Sequence, residues 1–216
     1  MEKILSINEF LDQRSDLNLF YGNPQLSQKE AIKKGSSITE KMKNTPMWNK
    51  WMNTPPPSQD LLIPILMQMS TMRSENPQFL EEVELDLYGV LTRECTSLGI
   101  ETTIEELEKI AENLDPITFG LKYHYNYPRP YQTAYALKVP LYPIQSTNAS
   151  SPAYPSGHAI DSYVICGLMA RRKPEVTETL MKLAQKITEA RIISGIHYPF
   201  DAEFGKQIAE DILSKI

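Results

Sequence analysis

The chain is expected to be all-α, a single-domain helical bundle with its functional site at helix ends and loops, on three observations. Apolar residues recur at three- and four-residue steps through most of the sequence, which is the pattern of helices with one buried face. Alternating β-branched runs bounded by turns, the mark of strands, are nearly absent. A length of 216 residues suits one sizeable core and leaves little room for a second compact domain.

The elements follow in order. The segment 44–60, "NTPMWNKWMNTPPPSQD", carries four prolines and two tryptophans and is expected to be an ordered loop rather than a helix. It would serve either as a connector with Trp48 and Trp51 packed down or as a wall of a site. From Pro77, the positions Leu80, Val83, Leu87, Val90, Leu91, Cys95 and Leu98 predict one amphipathic helix, with acidic residues in its first turns and Gly99 as its stop. Thr103 and Glu106 form a capping box for the next helix, whose apolar stripe is Ile104, Leu107, Ile110, Ala111 and Leu114. Asp115-Pro116 is expected to restart the chain. After an irregular stretch, 138–156, a helix begins before Ile160. Pro174 then suits the first turn of another, with Val176, Leu180, Leu183, Ala184, Ile187, Ala190 and Arg191 on one side.

Composition narrows the possible functions. Apolar residues make up 41% and charged residues 23% of the chain, as in ordinary folded proteins. A net charge of −5 offers no general attraction to nucleic acid or anionic lipid, so anion binding must rest on a local cluster of cations. The two cysteines, Cys95 and Cys166, sit among apolar residues and are expected to be buried free thiols. The segment "MEKILSINEFLDQRSD" acquires polar residues too early for a secretory signal, and the longest apolar run, 61–67, is too short for a membrane span. The expected setting is the cytoplasm or a mature soluble form, with no integral membrane association.

Three short blocks carry chemistry. In "SPAYPSGHAID", Pro155 ends the preceding structure, Gly157 lets backbone approach a ligand closely, and a helix starts at once. Exposed N–H groups and the helix dipole favour an anion there, with the Ser156 hydroxyl as a further donor and His158 beside it. The plain alternative is a helix cap with a surface histidine. In "EARIISGIHYPFDAEFG", Asp201 lies four residues beyond His197 with a Pro199 turn between them. It is therefore able to hold Nδ1 and present Nε2 to a substrate. In "KYHYNYPRP", Lys122 and Arg129 are spaced to converge on one point if a helix runs between them.

Together Lys122-x6-Arg129-Pro130, Pro155-Ser156-Gly157-His158 and Arg191-x5-His197-x3-Asp201 resemble the three-part signature of the type 2 phosphatidic acid phosphatase superfamily. That superfamily includes class A non-specific acid phosphatases, lipid phosphatases and vanadium haloperoxidases. The match covers 122–201, while residues 1–121 form a helical N-terminal half without a recognised motif. Ala190 stands where the pattern has serine, on the apolar stripe.

The resemblance implies a phosphatase of small phosphorylated substrates, closest in size to the class A acid phosphatases. His197 would be the nucleophile, Asp201 its orienting carboxylate and His158 the general acid. Lys122, Arg129, Arg191, Ser156 and Gly157 would bind phosphate, with no metal or other cofactor required, since phosphoryl transfer is served by charge neutralisation and positioning. Vanadate would act as a phosphate mimic, either inhibiting or, in a haloperoxidase, serving as cofactor. A haloperoxidase, a peripheral phosphatase of lipid or isoprenoid phosphates, and a non-enzymatic helical protein are the alternatives. An acidic to near-neutral optimum is expected, because His158 must be protonated while His197 is free. His124 is left either structural or on the substrate side, and specificity is expected from the N-terminal half, first from 44–60.

Overall fold

The computed structural model describes residues 24–57, 61–144, 146 and 149–216. The N-terminal segment read above for a secretory signal, the end of the 44–60 stretch and part of 138–156 lie outside them. The described residues are all-α, with no strand among them. No described helix is long and apolar enough to cross a membrane.

Helices α1 (Leu26–Lys34), α2 (Ser37–Lys43) and α3 (Pro46–Met52) lead the described chain. The helix α3 corrects the loop expected at 44–60: Pro46 occupies its first turn, where a missing N–H costs nothing, and the helix is over before Pro55. Trp51 is fully buried and donates from Nε1 to Asp211 Oδ2 at 2.9 Å. After α4 (Leu62–Thr71), the single helix expected from Pro77 to Leu98 is two, α5 (Pro77–Leu85) and α6 (Leu87–Ser97). Asp86 breaks it, because its Oδ1 accepts the Gly89 N–H at 2.8 Å and so caps a new helix instead of continuing the old one. Gly89 permits this: a Cβ there would lie 1.9 Å from Asp86 Oδ2. Gly99, at φ +72°, is the expected stop.

The helix α7 (Ile104–Tyr125) starts at the expected cap, with Thr103 Oγ1 accepting from Glu106 N at 3.2 Å, but the capping box is only half made, because the Glu106 carboxylate accepts from Thr102 Oγ1 and pairs with Arg172. Its course corrects the restart expected at Pro116, which sits inside an unbroken 22-residue helix. An internal proline costs about 3 kcal/mol. Leu114, Ile117 and Leu121 are fully buried on the core side, and at about 2 kcal/mol each their burial outweighs the lost hydrogen bond.

The remaining helices are α8 (Pro130–Ala136), α9 (Gly157–Arg172), α10 (Thr177–Ile193, entered through a 3-10 turn at Pro174–Val176) and α11 (Pro199–Leu213). The helix α9 is central, packed chiefly on α10 and α11 and also on α7 and α6. Gly205 sets the α9–α11 approach, since a Cβ there would meet Ser156 O at 2.7 Å and Ala159 Cβ at 2.8 Å. Cys95 and Cys166 are buried free thiols in the core.

Candidate active site

The three motif blocks reach one place because each ends a helix or begins one on the same side of the core. Lys122 lies in the last turn of α7, Arg129 immediately precedes α8, His158 is in the first turn of α9, Arg191 is near the end of α10, and His197 lies in the turn before α11. They line a common cavity of about 190 Å³. Lys122 and Arg129 do not share a helix as the spacing suggested. The helix α7 ends at Asn126, whose φ of 47° is left-handed, and the chain turns before Arg129.

Backbone hydrogen bonds tie the blocks together. Gly195 at φ +71° turns the chain after α10, so that Arg191 O accepts from both Ile196 N and His197 N at 3.2 Å. The separation of Arg191 from His197 is thus one closed turn. Ser156 N donates to Asp201 O at 2.9 Å, and Ala153 N donates to Tyr127 O at 2.8 Å. Aromatic stacking supports the same joints: Tyr154 on Phe204 and Tyr198 on Phe200, each with ring centroids 4.7 Å apart.

The charged groups are almost completely buried, with Lys122, Arg129, Arg191, His197 and Asp201 each no more than 3% exposed. His197 Nδ1 lies 3.0 Å from Asp201 Oδ2, which also accepts the Tyr198 N–H at 2.9 Å. Asp201 is therefore not the N-cap of α11 but reaches back to it from the first turn, capping the helix and holding the imidazole with one oxygen. With Nδ1 donating, Nε2 is an acceptor, and an Arg129 guanidinium nitrogen lies 2.8 Å from it. Arg129 also donates from Nε to Ser151 O at 2.9 Å and from the terminal nitrogen facing His197 to Ile196 O at 3.1 Å. Lys122 Nζ donates to Pro152 O at 2.6 Å and Ala153 O at 3.2 Å. Arg191 is paired with the buried carboxylate of Glu84, at the end of α5.

Burial, together with this concentration of positive charge, controls the titrating groups. His197 and His158 are both held well below the ordinary histidine range, first by burial and then by Arg129, Lys122 and Arg191. Lys122 is lowered by burial and by Arg129. Burial raises Asp201 to about 7, against the pull of the Tyr198 N–H and the cations.

One expected site residue takes another place. Ser156 does not line the cavity: it is fully buried, and its Oγ accepts the Ala159 N–H at 3.3 Å as the N-cap of α9. Asp201 stands behind His197, as an orienting group should. Gly157 does line the cavity, and a Cβ there would come within 3.2 Å of Thr118 Cγ2. His124 is exposed, with Nε2 2.9 Å from Met52 O, and is absent from the lining. The described part of 44–60 is absent too. It clasps the site from outside, where Thr54 O accepts from Tyr154 OH at 3.0 Å.

The sequence did not disclose Glu84, Tyr88, Asp115, Thr118, Ser151 or Asp161 as parts of the site. Asp115, Thr118 and Lys122 lie on one face of α7 at three- and four-residue steps. That spacing was available, but the expected break at Pro116 concealed it.

No protein-family model matches the sequence, and no curated protein is significantly similar to it.

Proposed function

We propose that this chain belongs to the metal-independent phosphoryl-transfer enzymes that work through a histidine nucleophile. Within that class it is a phosphatase of small phosphate monoesters. One observation carries the reading: His197 has Nδ1 fixed by the buried Asp201 while its Nε2 faces a cavity lined by Lys122, Arg129 and Arg191. An imidazole held neutral beside three cations is suited to attack an anionic electrophile.

In the resting site Arg129 occupies the lone pair of His197 Nε2. An incoming phosphate competes for the guanidinium, because an N–H bonded to an anion is stronger than one bonded to a neutral nitrogen. Nε2 then attacks phosphorus, the phosphorus–oxygen ester bond breaks, and the departing oxygen takes a proton from His158. Water next attacks the phosphohistidine with His158 accepting its proton, the phosphorus–nitrogen bond breaks, and inorganic phosphate leaves. His158 is held well below the ordinary histidine range in the empty site first by burial and then by the cations, and the charge of the bound phosphate offsets the cationic part. The cations and the amino end of α9 neutralise the equatorial oxygens.

The test is hydrolysis of p-nitrophenyl phosphate by purified protein between about pH 4 and 8, with His197→Ala alongside. Turnover by the wild type that the substitution abolishes and vanadate inhibits is expected. Absence of turnover by the wild type at every pH overturns the reading, and undiminished turnover in the variant removes His197 as nucleophile. Bromide oxidation on adding vanadate and peroxide would instead indicate a haloperoxidase.

A further inference from the structure

The cavity has a second end that phosphate transfer does not use. Besides the cations it is lined by Tyr88, Asp115, Thr118 and Asp161. Tyr88 OH donates to Asp161 Oδ2 at 3.4 Å. Tyr88 and His158 also line an adjoining hollow of about 290 Å³ that adds Asp86 and Glu108. Along α7 the change of sign is direct: Lys122 and Asp115 are seven positions apart on one face, about 10 Å of helix axis. Along α9, His158 and Asp161 are three apart, again on one face.

Thr118 lies between the two ends. It is 5% exposed, lines the cavity, and its Oγ1 is buried with no hydrogen-bond partner. A buried hydroxyl without a partner costs stability unless a ligand supplies one. Burial and the neighbouring Asp115 hold Asp161 well above the ordinary carboxylate range, and burial raises Asp115 to about 6. Two carboxyls are thus kept in a place where their ionised forms are costly, and a cation brought to them recovers that cost.

On the phosphatase reading above, we infer that the preferred substrate is an aminoalkyl phosphate, bound with its phosphate at Lys122, Arg129 and Arg191 and its ammonium at Asp161, Asp115 and Thr118 Oγ1. An ammonium has three donors and needs only a few oxygen acceptors at close range. A divalent metal is a poorer fit, because no group of three or more His, Cys, Asp or Glu side chains stands ready to hold one among the described residues.

The experiment compares kcat/KM for 2-aminoethyl phosphate with that for 2-hydroxyethyl phosphate, which has the same length and a hydrogen-bonding but uncharged end. A preference of about tenfold or more for the amine is expected from a charge-assisted hydrogen bond in a half-buried site. Asp161→Asn should bring the ratio close to 1, and Asp115→Asn should lower it less. A wild-type ratio of 1 or below overturns the inference while leaving the phosphatase intact. If neither ester is turned over, calorimetric titration of the wild type with the same two compounds decides. Tighter binding of the amine upholds the acidic subsite without the phosphatase, and equal or weaker binding overturns it.

Discussion

The two ends of the cavity are built in opposite ways: the cationic side chains are almost completely buried, whereas Tyr88, Asp115 and Asp161 are half-buried. At the cationic end every charge is pinned: Lys122 by two carbonyls, Arg129 by carbonyls and His197, Arg191 by Glu84. These bonds hold the side chains in place before any ligand arrives, so little ordering cost remains to be met on binding. At the acidic end burial favours the neutral carboxyl instead, and charge develops only when something positive approaches. Burial shifts protonation at both ends, while at the cationic end partners also hold each charged side chain in place.

The comparison can be broken at several points. Replacing His197 by Asn removes the proposed nucleophile and should cost about a thousandfold or more in kcat on p-nitrophenyl phosphate. A loss below tenfold would place the nucleophile elsewhere. Glu84→Gln leaves Arg191 buried beside a neutral amide, and urea denaturation should show a stability loss of about 3 kcal/mol. Saturating inorganic phosphate should recover part of it by binding the unpaired charge; a loss too small to resolve would mean that Glu84 does not hold Arg191. Arg129→Lys keeps the charge but loses the planar fork, and kcat/KM should fall about a hundredfold, whereas a fall of only a few-fold would reduce Arg129 to a point charge.

The pH dependence is a subtler test. The depressed pKa of His197 keeps Nε2 free as pH falls through 6.5, so the acid limb of kcat/KM should lie below that value. A limb at 6.5 or above that follows His197 would contradict the burial of His197 and the cationic field around it. The smallest effect concerns Asp115, whose pKa rises from 3.8 to about 6. A raised carboxyl contributes stability that is present below pH 3.8 and lost as pH climbs through 6. Asp115→Asn has no such loss and should gain about 1 kcal/mol on the wild type between pH 4 and 7, after allowance for partial exposure. Parallel denaturation curves at both pH values would show that Asp115 ionises without cost.

Periodicity and helix caps are local, so the helical class, the stop at Gly99 and the Thr103 cap could be read directly from the residues. The errors lay where a local signal met a tertiary one. Pro116 reads as a break, but burial of its neighbours carries α7 through it. The periodicity from Pro77 to Leu98 reads as one helix, but Asp86 competes for the backbone and divides it. That division matters to the site, for it ends α5 at Glu84's turn and starts α6 at Tyr88's. Ser156 looked like a phosphate donor because a hydroxyl before a helix serves either a ligand or the cap, and here it serves the cap.

By itself, the sequence determined that the chain is helical and that His197 and Asp201 sit one turn apart, since both depend on spacing along the backbone. It also placed Lys122, Arg129, His158 and Arg191 in blocks suited to an anion. Only the tertiary structure decided that α6 and α7 bring Tyr88, Asp115 and Thr118 to the same cavity and that α5 sets Glu84 against Arg191. Contacts such as Glu84 with Arg191 span 107 positions, and no local pattern encodes which distant helices will share a core.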